Sequence, residues 1–462
     1  MRVPAMFRIS LLSMTSTLAL AGAASASPAV AQAPAAKAAT ASTSASTPAS
    51  TPASTPASTP ASTPASTPAS TPASTPASTP APTPASSPAS TAKSSATPAS
   101  TPAKADRATA AVDAAVAEVM REYGIAGMAI GVSREGEQRF FNYGDASRAP
   151  RRAVSSDTLF ELGSISKTFT VTLAAYAQAT GRLSLTDSPA KWVPELQGSE
   201  FARLTLVHLA THTAGGFPLQ VPDAVQSMAQ LMDYLKAWTP RYAPGTRRTY
   251  ANPSIGMLGV VAARALGQPY VAAMEQQLFP MLGLRDTYLE VPPRKMPDYA
   301  QGYDKQDAPV RVNPGVLADE AYGVKSSARD MLRFVEINLG TAPVDATLQR
   351  AIAETHTGYY QLGAMTQDLI WEQYRYPVSV DELVHGNSAQ VAFETLPVKA
   401  LQPPLAPQQA VWINKTGATN GFGAYVAFVP SRKLGIVILA NRNYPNEARV
   451  RLALRVLKAL AP

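Results

Sequence analysis

Helical and strand periodicity of the apolar residues begins only near residue 106 and then continues to the C-terminus. Apolar residues recur at helical spacing over 106–123, and Gly124 is a natural stop signal for a helix there. Two apolar runs, 128–132 and 139–143, flank a polar Arg-Glu-Gly-Glu turn, and this arrangement predicts a β-hairpin. Further helices are predicted at 160–179, 225–237, 255–266 and 328–339.

Three short apolar segments close to the C-terminus predict successive strands at 410–413, 424–429 and 434–439. A final helix is predicted at 447–460, because its apolar residues fall on one face. Strands near both chain ends, with helices between them, predict an α/β (α+β) fold. We expect one antiparallel sheet built from both ends of the chain and flanked by helices, plus an all-helical region. A site is expected in the cleft between the sheet and that helical region.

The first 105 residues follow a different pattern. Arg2 and Arg8 precede an apolar run that ends near Ala23 and is followed by small residues, as is typical of a secretory signal peptide. The apolar run is too short and too polar for a membrane span, so export is predicted and anchoring is not. We assign the signal peptide to residues 1–31 and a disordered spacer to residues 32–105.

The predicted spacer consists almost only of Ala, Ser, Thr and Pro, with a repeated Ser-Thr-Pro-Ala unit. Proline at every fourth position forbids a continuous helix, and there is nothing large to bury. An extended, semi-rigid segment is therefore predicted, and the folded domain is assigned to residues 106–462.

Charge and cysteine content exclude several functional classes. Five basic residues precede the first acidic residue, Asp106, so the formal net charge of +8 leaves 35 basic against 32 acidic residues after the spacer. These nearly equal numbers give no sign of the clustered basic patch that nucleic-acid binding needs, so no nucleic-acid partner is expected. The absence of cysteine excludes Cys-liganded zinc, iron–sulfur clusters and thiol catalysis.

A Ser-x-x-Lys pattern places Ser164 and Lys167 three residues apart, and therefore on one face if the segment is helical. Serine becomes a good nucleophile when a neighbouring base takes its proton, and a lysine does so when its pKa is lowered. Gly163 allows a tight turn just before the serine. Ser-x-x-Lys alone is common by chance, and its weight here depends on two later motifs.

The second motif is Tyr250-Ala-Asn252, and the third is Lys415-Thr416-Gly417. A phenol beside a lysine ammonium can be held as phenolate and serve as a general base. The lysine and threonine of the third motif can bind a substrate carboxylate. The next backbone N–H, at Ala418, can complete an oxyanion hole with that of Ser164. Each motif alone is also compatible with a purely structural role.

The three motifs in this order resemble the penicillin-recognising serine enzymes. Longer runs resemble the class C serine β-lactamases, the exported cephalosporinases, over nearly all of residues 107–462. The resemblance implies a beta-lactamase/transpeptidase-like fold and hydrolysis of the β-lactam amide of cephalosporins and penicillins through an acyl-enzyme. It also implies a monomer without cofactor or metal that acts on a small-molecule substrate. The signal peptide predicts a periplasmic location. The matching runs are 160–169, 213–222, 321–327, 421–430 and 434–446.

The resemblance also implies a role for each site residue. Ser164 is the acylated nucleophile, Lys167 and Tyr250 form the proton-transfer pair, and Ala418 supplies the second oxyanion N–H. The substrate-binding residues are Gln220 and Asn252 at the amide side chain, Tyr322 in the side-chain pocket, and Lys415, Thr416 and Asn446 around the carboxylate.

Two departures from the family leave the substrate profile open. Asn414 stands where the family often has histidine, and Asn420 stands where glycine is usual.

Other functions remain open on the same residues. A D-alanyl-D-alanine carboxypeptidase or an esterase uses the same acylation chemistry, and a non-enzymatic binder stays acylated. These classes differ in how fast water clears the acyl-enzyme. A metal-dependent enzyme is disfavoured: His208 and His212 are four residues apart, but no Glu follows His208 and no third ligand is evident.

Overall fold

A ten-stranded antiparallel sheet is the central element of residues 102–461, the part of the chain that this computed structural model describes. The predicted signal peptide, and the predicted spacer up to residue 101, lie outside the described residues. Helix α1 begins at Pro102 and so includes the last four residues assigned to the spacer. Proline is well tolerated in the first turn of a helix, where its missing N–H has no partner to lose.

Within the described residues, the strands are β1 (Gly127–Arg134), β2 (Glu137–Arg148), β3 (Arg151–Ala153), β4 (Phe160–Glu161), β5 (Arg247–Thr249), β6 (Thr287–Tyr288), β7 (Gly302–Tyr303), β8 (Pro309–Val310), β9 (Lys325–Ser326), β10 (Gly358–Leu362), β11 (Met365–Gln367), β12 (Glu372–Arg375), β13 (Thr395–Pro397), β14 (Lys399–Leu405), β15 (Val411–Ala418), β16 (Gly423–Val429) and β17 (Leu434–Ala440). The α-helices of the same region are α1 (Pro102–Tyr123), α2 (Ser166–Ala179), α3 (Leu206–Ala210), α4 (Met228–Ala237), α5 (Asn252–Leu266), α6 (Tyr270–Ala272), α7 (Phe279–Met281), α8 (Ala318–Ala321), α9 (Ala328–Leu339), α10 (Ala346–Thr355), α11 (Val380–Gly386), α12 (Ala389–Phe393) and α13 (Asn446–Ala459). A π-helical segment, Ala273–Leu278, joins α6 and α7 into one continuous helix over Tyr270–Met281.

The large sheet has the strand order β14-β10-β11-β12-β15-β16-β17-β1-β2-β3. Strands from the two ends of the described chain meet inside it, because β1 pairs with β17 in the register Ile130 opposite Ile438. The predicted sheet built from both chain ends is thus confirmed. It is larger than predicted, since β10, β11, β12 and β14 come from a region that gave no clear strand pattern. Buried polar side chains such as Gln367, Glu372 and Gln373 interrupt the apolar alternation there.

Each face of the sheet packs against helices and forms its own hydrophobic core. On β17 the side chains alternate, because Ile436 and Ile438 join the core that includes α1 and α13, whereas Val437 and Leu439 join the other. Two apolar faces explain why this strand reads as one continuous apolar run in the sequence. The second core continues into the helical region that contains α2 and α5, where Phe169 stacks on Phe334.

The helix predicted over 160–179 is wrong in its first turn. Phe160–Glu161 is the short strand β4, which pairs with β9, and Gly163–Ile165 is a single 3-10 turn before α2. Gly163 has φ +52°, a left-handed conformation that a continuous right-handed helix does not contain. The nucleophile candidate therefore lies in a turn between a strand and a helix.

No single helix within residues 102–461 has both the length and the apolar composition needed to cross a membrane. One strongly bent pair, Asn252–Leu266 with Tyr270–Met281, meets the length and composition criteria only when the two helices are taken together.

Candidate active site

Ser164 and Lys167 are brought together by the turn that precedes α2. The Lys167 Nζ donates hydrogen bonds to Ser164 Oγ at 2.9 Å and to the carbonyl oxygen of Ala321 at 2.8 Å. Lys167 is fully buried, whereas Ser164 is half-buried and lines a cavity of about 480 Å³. The hydroxyl therefore faces the cavity and the amine lies beneath it.

The end of β15 lies directly against this turn, and two glycines make the approach possible. A Cβ atom on Gly417 would be 2.0 Å from the carbonyl oxygen of Leu162, and one on Gly163 would be 2.4 Å from that of Ala418. Any larger residue at either position would push the two segments apart. Ser164 and Ala418 consequently line the same cavity, as an oxyanion hole built from their two N–H groups requires.

Tyr250 lies between β5 and α5, with its ring in contact with charged and aromatic groups. The centre of its ring is 5.2 Å from the Nζ atoms of both Lys167 and Lys415, and 4.2 Å from the ring of His212. Its hydroxyl oxygen is buried and has no partner of full hydrogen-bond geometry among residues 102–461.

Both members of the predicted proton-transfer pair have lowered pKa values. Burial disfavours the ammonium form of Lys167 and lowers its pKa to about 8. Burial alone would raise the pKa of Tyr250. The positive charges of Lys167 and Lys415 outweigh that effect, and with weaker hydrogen-bonding contributions from Ser164 and Lys167 they lower the tyrosine pKa to about 8. The site can therefore supply a base near neutral pH.

A buried carboxylate compensates part of the positive charge. Glu372 Oε1 lies 3.3 Å from a guanidinium nitrogen of Arg248 and 3.9 Å from Lys415 Nζ. Asn414 Nδ2 donates to Glu372 Oε2 at 3.1 Å, and its carbonyl oxygen accepts the Tyr425 hydroxyl at 3.2 Å. Asn414, one of the two departures from the family pattern, thus lies behind the site and orients this carboxylate.

Polar groups for a substrate surround the same cavity. Asn252 Nδ2 donates to Gln220 Oε1 at 2.9 Å, and Asn446 Nδ2 donates to the backbone carbonyl of Asn387 at 3.1 Å. The cavity thus collects nine of the ten predicted site residues, and Lys167, the tenth, lies below the surface. The nine are Ser164, Gln220, Tyr250, Asn252, Tyr322, Lys415, Thr416, Ala418 and Asn446.

The Beta-lactamase family model matches residues 112–461. The chain belongs to the beta-lactamase family. A beta-lactamase of Lysobacter lactamgenus is 53% identical over 350 residues, which cover 76% of this chain and 91% of that relative. A crystal structure named Beta-Lactamase/D-Alanine Carboxypeptidase from Pseudomonas syringae is 57% identical with a TM-score of 0.76, and the match covers 77% of this chain and 99% of that one. A class C beta-lactamase crystallised with cefoxitin is 46% identical with a TM-score of 0.75, covering 78% and 100%.

Several residues of this beta-lactamase site were missed by the sequence analysis. Arg248 and Glu372 form the buried ion pair, and Phe393 lies at the cavity with 70% of its surface exposed. Arg449 donates to the backbone carbonyl of Gly417 at 2.7 Å. Spacing along the chain could have indicated two of these residues. Arg248 is two residues before Tyr250 in an extended segment, and side chains at that spacing lie on the same face. Arg449 is likewise one helical turn after a predicted site residue, at the start of α13.

The two histidines with zinc-like spacing have structural surroundings in the beta-lactamase. His208 closes the first turn of α3, where its side chain accepts the backbone N–H of Thr205 at 3.1 Å. His212 lies after that helix with φ +60°, and its Nδ1 accepts the N–H of Ala251 at 3.3 Å. Burial and nearby positive charges lower the pKa of His212 far below its usual range, so the ring is neutral. Among the described residues, no group of three or more metal-ligating side chains is present.

Proposed function

We propose that this chain is a class C serine β-lactamase that hydrolyses the β-lactam amide of cephalosporins and penicillins through an acyl-enzyme on Ser164. The observation that carries the proposal is the 2.9 Å hydrogen bond between Lys167 Nζ and Ser164 Oγ, beside a tyrosine whose pKa is lowered to about 8. A nucleophile and base within hydrogen-bond reach are the requirement for covalent acyl transfer.

In the acylation step, the Ser164 hydroxyl loses its proton to the Lys167–Tyr250 pair while Oγ attacks the lactam carbonyl. The N–H groups of Ser164 and Ala418 stabilise the negative charge that develops on the carbonyl oxygen. The C–N bond of the four-membered ring then breaks, and the proton held by the pair passes to the leaving nitrogen. The product of this step is an ester on Ser164.

Hydrolysis of that ester completes the cycle. Tyr250 takes a proton from the attacking water, the C–O bond to Ser164 breaks, and Oγ recovers its proton. The product leaves as a ring-opened carboxylate, so one water is consumed for each lactam.

Substrate orientation is assigned to the polar groups around the cavity. Gln220 and Asn252, which are hydrogen-bonded to each other, bind the amide side chain of the substrate. The carboxylate end of the substrate is assigned to Lys415, Thr416 and Asn446, and Tyr322 lines the side-chain pocket.

D-alanyl-D-alanine carboxypeptidase activity is the second candidate, because one similar structure carries both names. The same acylation serves a peptide ending in D-alanine, and deacylation rates distinguish the two activities. Steady turnover of nitrocefin supports the lactamase, whereas release of D-alanine from a D-alanyl-D-alanine peptide with only a stoichiometric nitrocefin burst supports the carboxypeptidase.

Replacing the nucleophile tests the assignment of Ser164. We expect Ser164→Ala to abolish steady nitrocefin hydrolysis while circular dichroism and the melting temperature stay close to those of the parent. The small change removes one oxygen from a half-buried side chain and leaves the Lys167–Ala321 hydrogen bond in place. A variant that still turned over at near the parental rate would show that another group is the nucleophile.

A periplasmic location is also proposed, on the strength of the signal-like residues 1–31. Expression of the full chain, followed by osmotic-shock fractionation and mass spectrometry of the released protein, checks this directly. We expect the enzyme in the released fraction with its N-terminus cut near residue 26 or 31. Retention of an intact N-terminus in the cytoplasm would contradict the proposal.

We propose that the enzyme acts as a monomer, as the resemblance of residues 107–462 to the class C β-lactamases implies. Sedimentation of the purified protein, with a mass near 48.5 kDa or slightly less after cleavage, would support this.

A further inference from the structure

Glu161 is a buried carboxylate beside the site that has no part in the proton transfers above. It belongs to β4, three residues before Ser164, and only 1% of its surface is exposed. Three donors from distant parts of the chain converge on its two oxygens. Tyr299 Oη donates to Oε1 at 2.6 Å, and the N–H of Val312 donates to the same oxygen at 2.8 Å. Thr419 Oγ1 donates to Oε2 at 2.5 Å.

The bond from Thr419 matters because of where that residue lies. Ala418 is the last residue of β15, and Thr419 opens the turn to β16, donating its N–H to the carbonyl of Phe422 at 3.1 Å. β12 pairs with β15 only as far as Asn414, so the following residues of β15 have a sheet neighbour on the β16 side alone. The position of this strand end therefore depends on contacts outside the sheet.

We propose that Glu161 is a positioning residue that holds the N–H of Ala418 at a fixed distance from the N–H of Ser164. Its backbone leads directly into the turn that carries one oxyanion donor, and its side chain is bonded to the residue that follows the other donor. The inference rests on the proposed function, in which these two N–H groups form the oxyanion hole.

Two backbone N–H groups from separate segments can stabilise one oxyanion only if the distance between them is fixed. Oxyanion donors act at about 2.7–3.1 Å from the oxygen that becomes charged, and a misplacement of about 1 Å can cost roughly a hundredfold in rate. The missing side chains at Gly163 and Gly417 allow the two segments to approach closely. The Glu161–Thr419 hydrogen bond supplies a directional link between them.

Three variants separate a positioning role from a merely structural one. Thr419→Val removes the hydroxyl at nearly constant shape, and Thr419→Ser is the matched control that keeps it. Tyr299→Phe removes a different donor from the same carboxylate, on the oxygen that does not contact Thr419. For each variant we measure kcat and KM for nitrocefin, the melting temperature, and inhibition by phenylboronic acid. The boronic acid forms a tetrahedral adduct with the serine and occupies the oxyanion hole.

We expect Thr419→Val to lower kcat by about tenfold to a hundredfold and to weaken boronic acid inhibition by a similar factor. Thr419→Ser should stay within about threefold of the parent in both measurements. Tyr299→Phe should lower the melting temperature and leave kcat within the same about threefold range. This contrast is expected because, of the two side-chain hydrogen bonds to Glu161, only the one from Thr419 comes from the segment that carries the Ala418 N–H.

The proposal is overturned if Thr419→Val keeps parental kcat and boronic acid affinity. It is equally overturned if Thr419→Val and Tyr299→Phe both lower the melting temperature and neither changes the boronic acid affinity, since Glu161 would then only stabilise the fold. Boronic acid binding does not depend on β-lactam turnover. If the parent hydrolysed no nitrocefin, the proposed function would fail, and the boronic acid affinities would still decide the role of Glu161.

Discussion

Lys167 and Tyr250 are side chains that normally hold their protons at neutral pH, yet both have a pKa of about 8 here. The causes differ, because desolvation of the ammonium lowers the lysine value and two nearby ammonium groups lower the tyrosine value against its own burial. A group of pKa 8 is about one-tenth deprotonated at pH 7, compared with about one-thousandth for ordinary tyrosine. The site thus makes a base available without a histidine.

Tyr250→Phe removes only the phenol oxygen and so tests whether this group acts as the general base. We expect kcat/KM for nitrocefin to fall by about a hundredfold to ten-thousandfold, the usual contribution of a general base. In the parent enzyme, kcat/KM should rise with pH up to about 8, where Tyr250 and Lys167 lose their protons, and then level off. A parent profile that stays flat between pH 6 and about 9 would argue against this pair as the base.

The same variant predicts a change in how stability depends on pH. The pKa of Tyr250 is lowered from 10 in the unfolded chain to about 8 in the fold. Between these values the unfolded state binds more protons, so the free energy of unfolding rises with pH, by up to about 3 kcal/mol from this group. We expect the melting temperature of the parent to rise relative to that of Tyr250→Phe between pH 8 and 10. Below pH 7 the difference between the two melting temperatures should stay constant. An equal difference at every pH would contradict the lowered tyrosine pKa.

At the scale of elements, the site depends on how closely the end of β15 approaches the turn before α2. Gly163 and Gly417 face each other's segments, and each leaves no space for a Cβ atom. Gly163 also has φ +52°, where any other residue is strained. The approach places the backbone N–H donors of two segments, more than 250 residues apart in sequence, at one cavity.

Gly163→Ala should separate these elements and remove most of the activity. The added Cβ would meet backbone atoms of Ala418 at 2.4–2.5 Å, and backbone cannot move aside as a flexible side chain can. We expect kcat/KM to fall by at least about a hundredfold, as for loss of an oxyanion donor. The matched control is Gly363→Ala, at φ +57° with nothing within 4 Å of the new atom. It carries similar backbone strain, of about 1–2 kcal/mol, and should keep parental kinetics.

For the whole molecule, the sheet separates two hydrophobic cores, and one of them holds the chain ends of the described region together. Val112 and Val116 of α1 pack in the same core as Val450 and Leu452 of α13 and as Ile130 of β1. Among residues 102–461, α1 contributes no side chain to the cavity. Stability and catalysis should therefore respond separately to changes in this core.

Val116→Ala tests this separation. Val116 is fully buried, and loss of its two methyl groups should lower the free energy of unfolding by about 1–3 kcal/mol. We expect a lower melting temperature with unchanged kcat and KM for nitrocefin at 25 °C. Ala117→Ser, at an exposed position of the same helix, should change neither stability nor kinetics. A marked loss of kcat in folded Val116→Ala would mean that this core controls the site.

The sequence alone predicted ten site residues, nine of which line one cavity in the fold, and it determined the central strands of the sheet. Ser164, Tyr250 and Lys415 belong to short motifs whose order along the chain is itself informative, and side-chain chemistry limits what they can do. The strands β16 and β17 and the first three residues of β15 were predicted because a strand buried on both faces leaves a continuous apolar run; the polar second half of β15, from Asn414 onward, was not predicted as strand. Each of these patterns lies within a stretch of about ten residues, so it can be recognised without knowledge of the fold.

Only the tertiary structure decided which distant groups support those residues. Arg248 and Glu372 form an ion pair although they are 124 residues apart in the sequence. Glu161 and Thr419 are hydrogen-bonded although they are 258 residues apart. The sequence around each residue gives no indication of its partner. Helix α2 begins after the serine because Gly163 adopts a left-handed conformation to fit against Ala418, a contact that no local pattern records. The lowered pKa values of Lys167 and Tyr250 likewise depend on burial and on charges from other segments. Burial and long-range contact are properties of the packed chain, so they appear only once its elements are assembled.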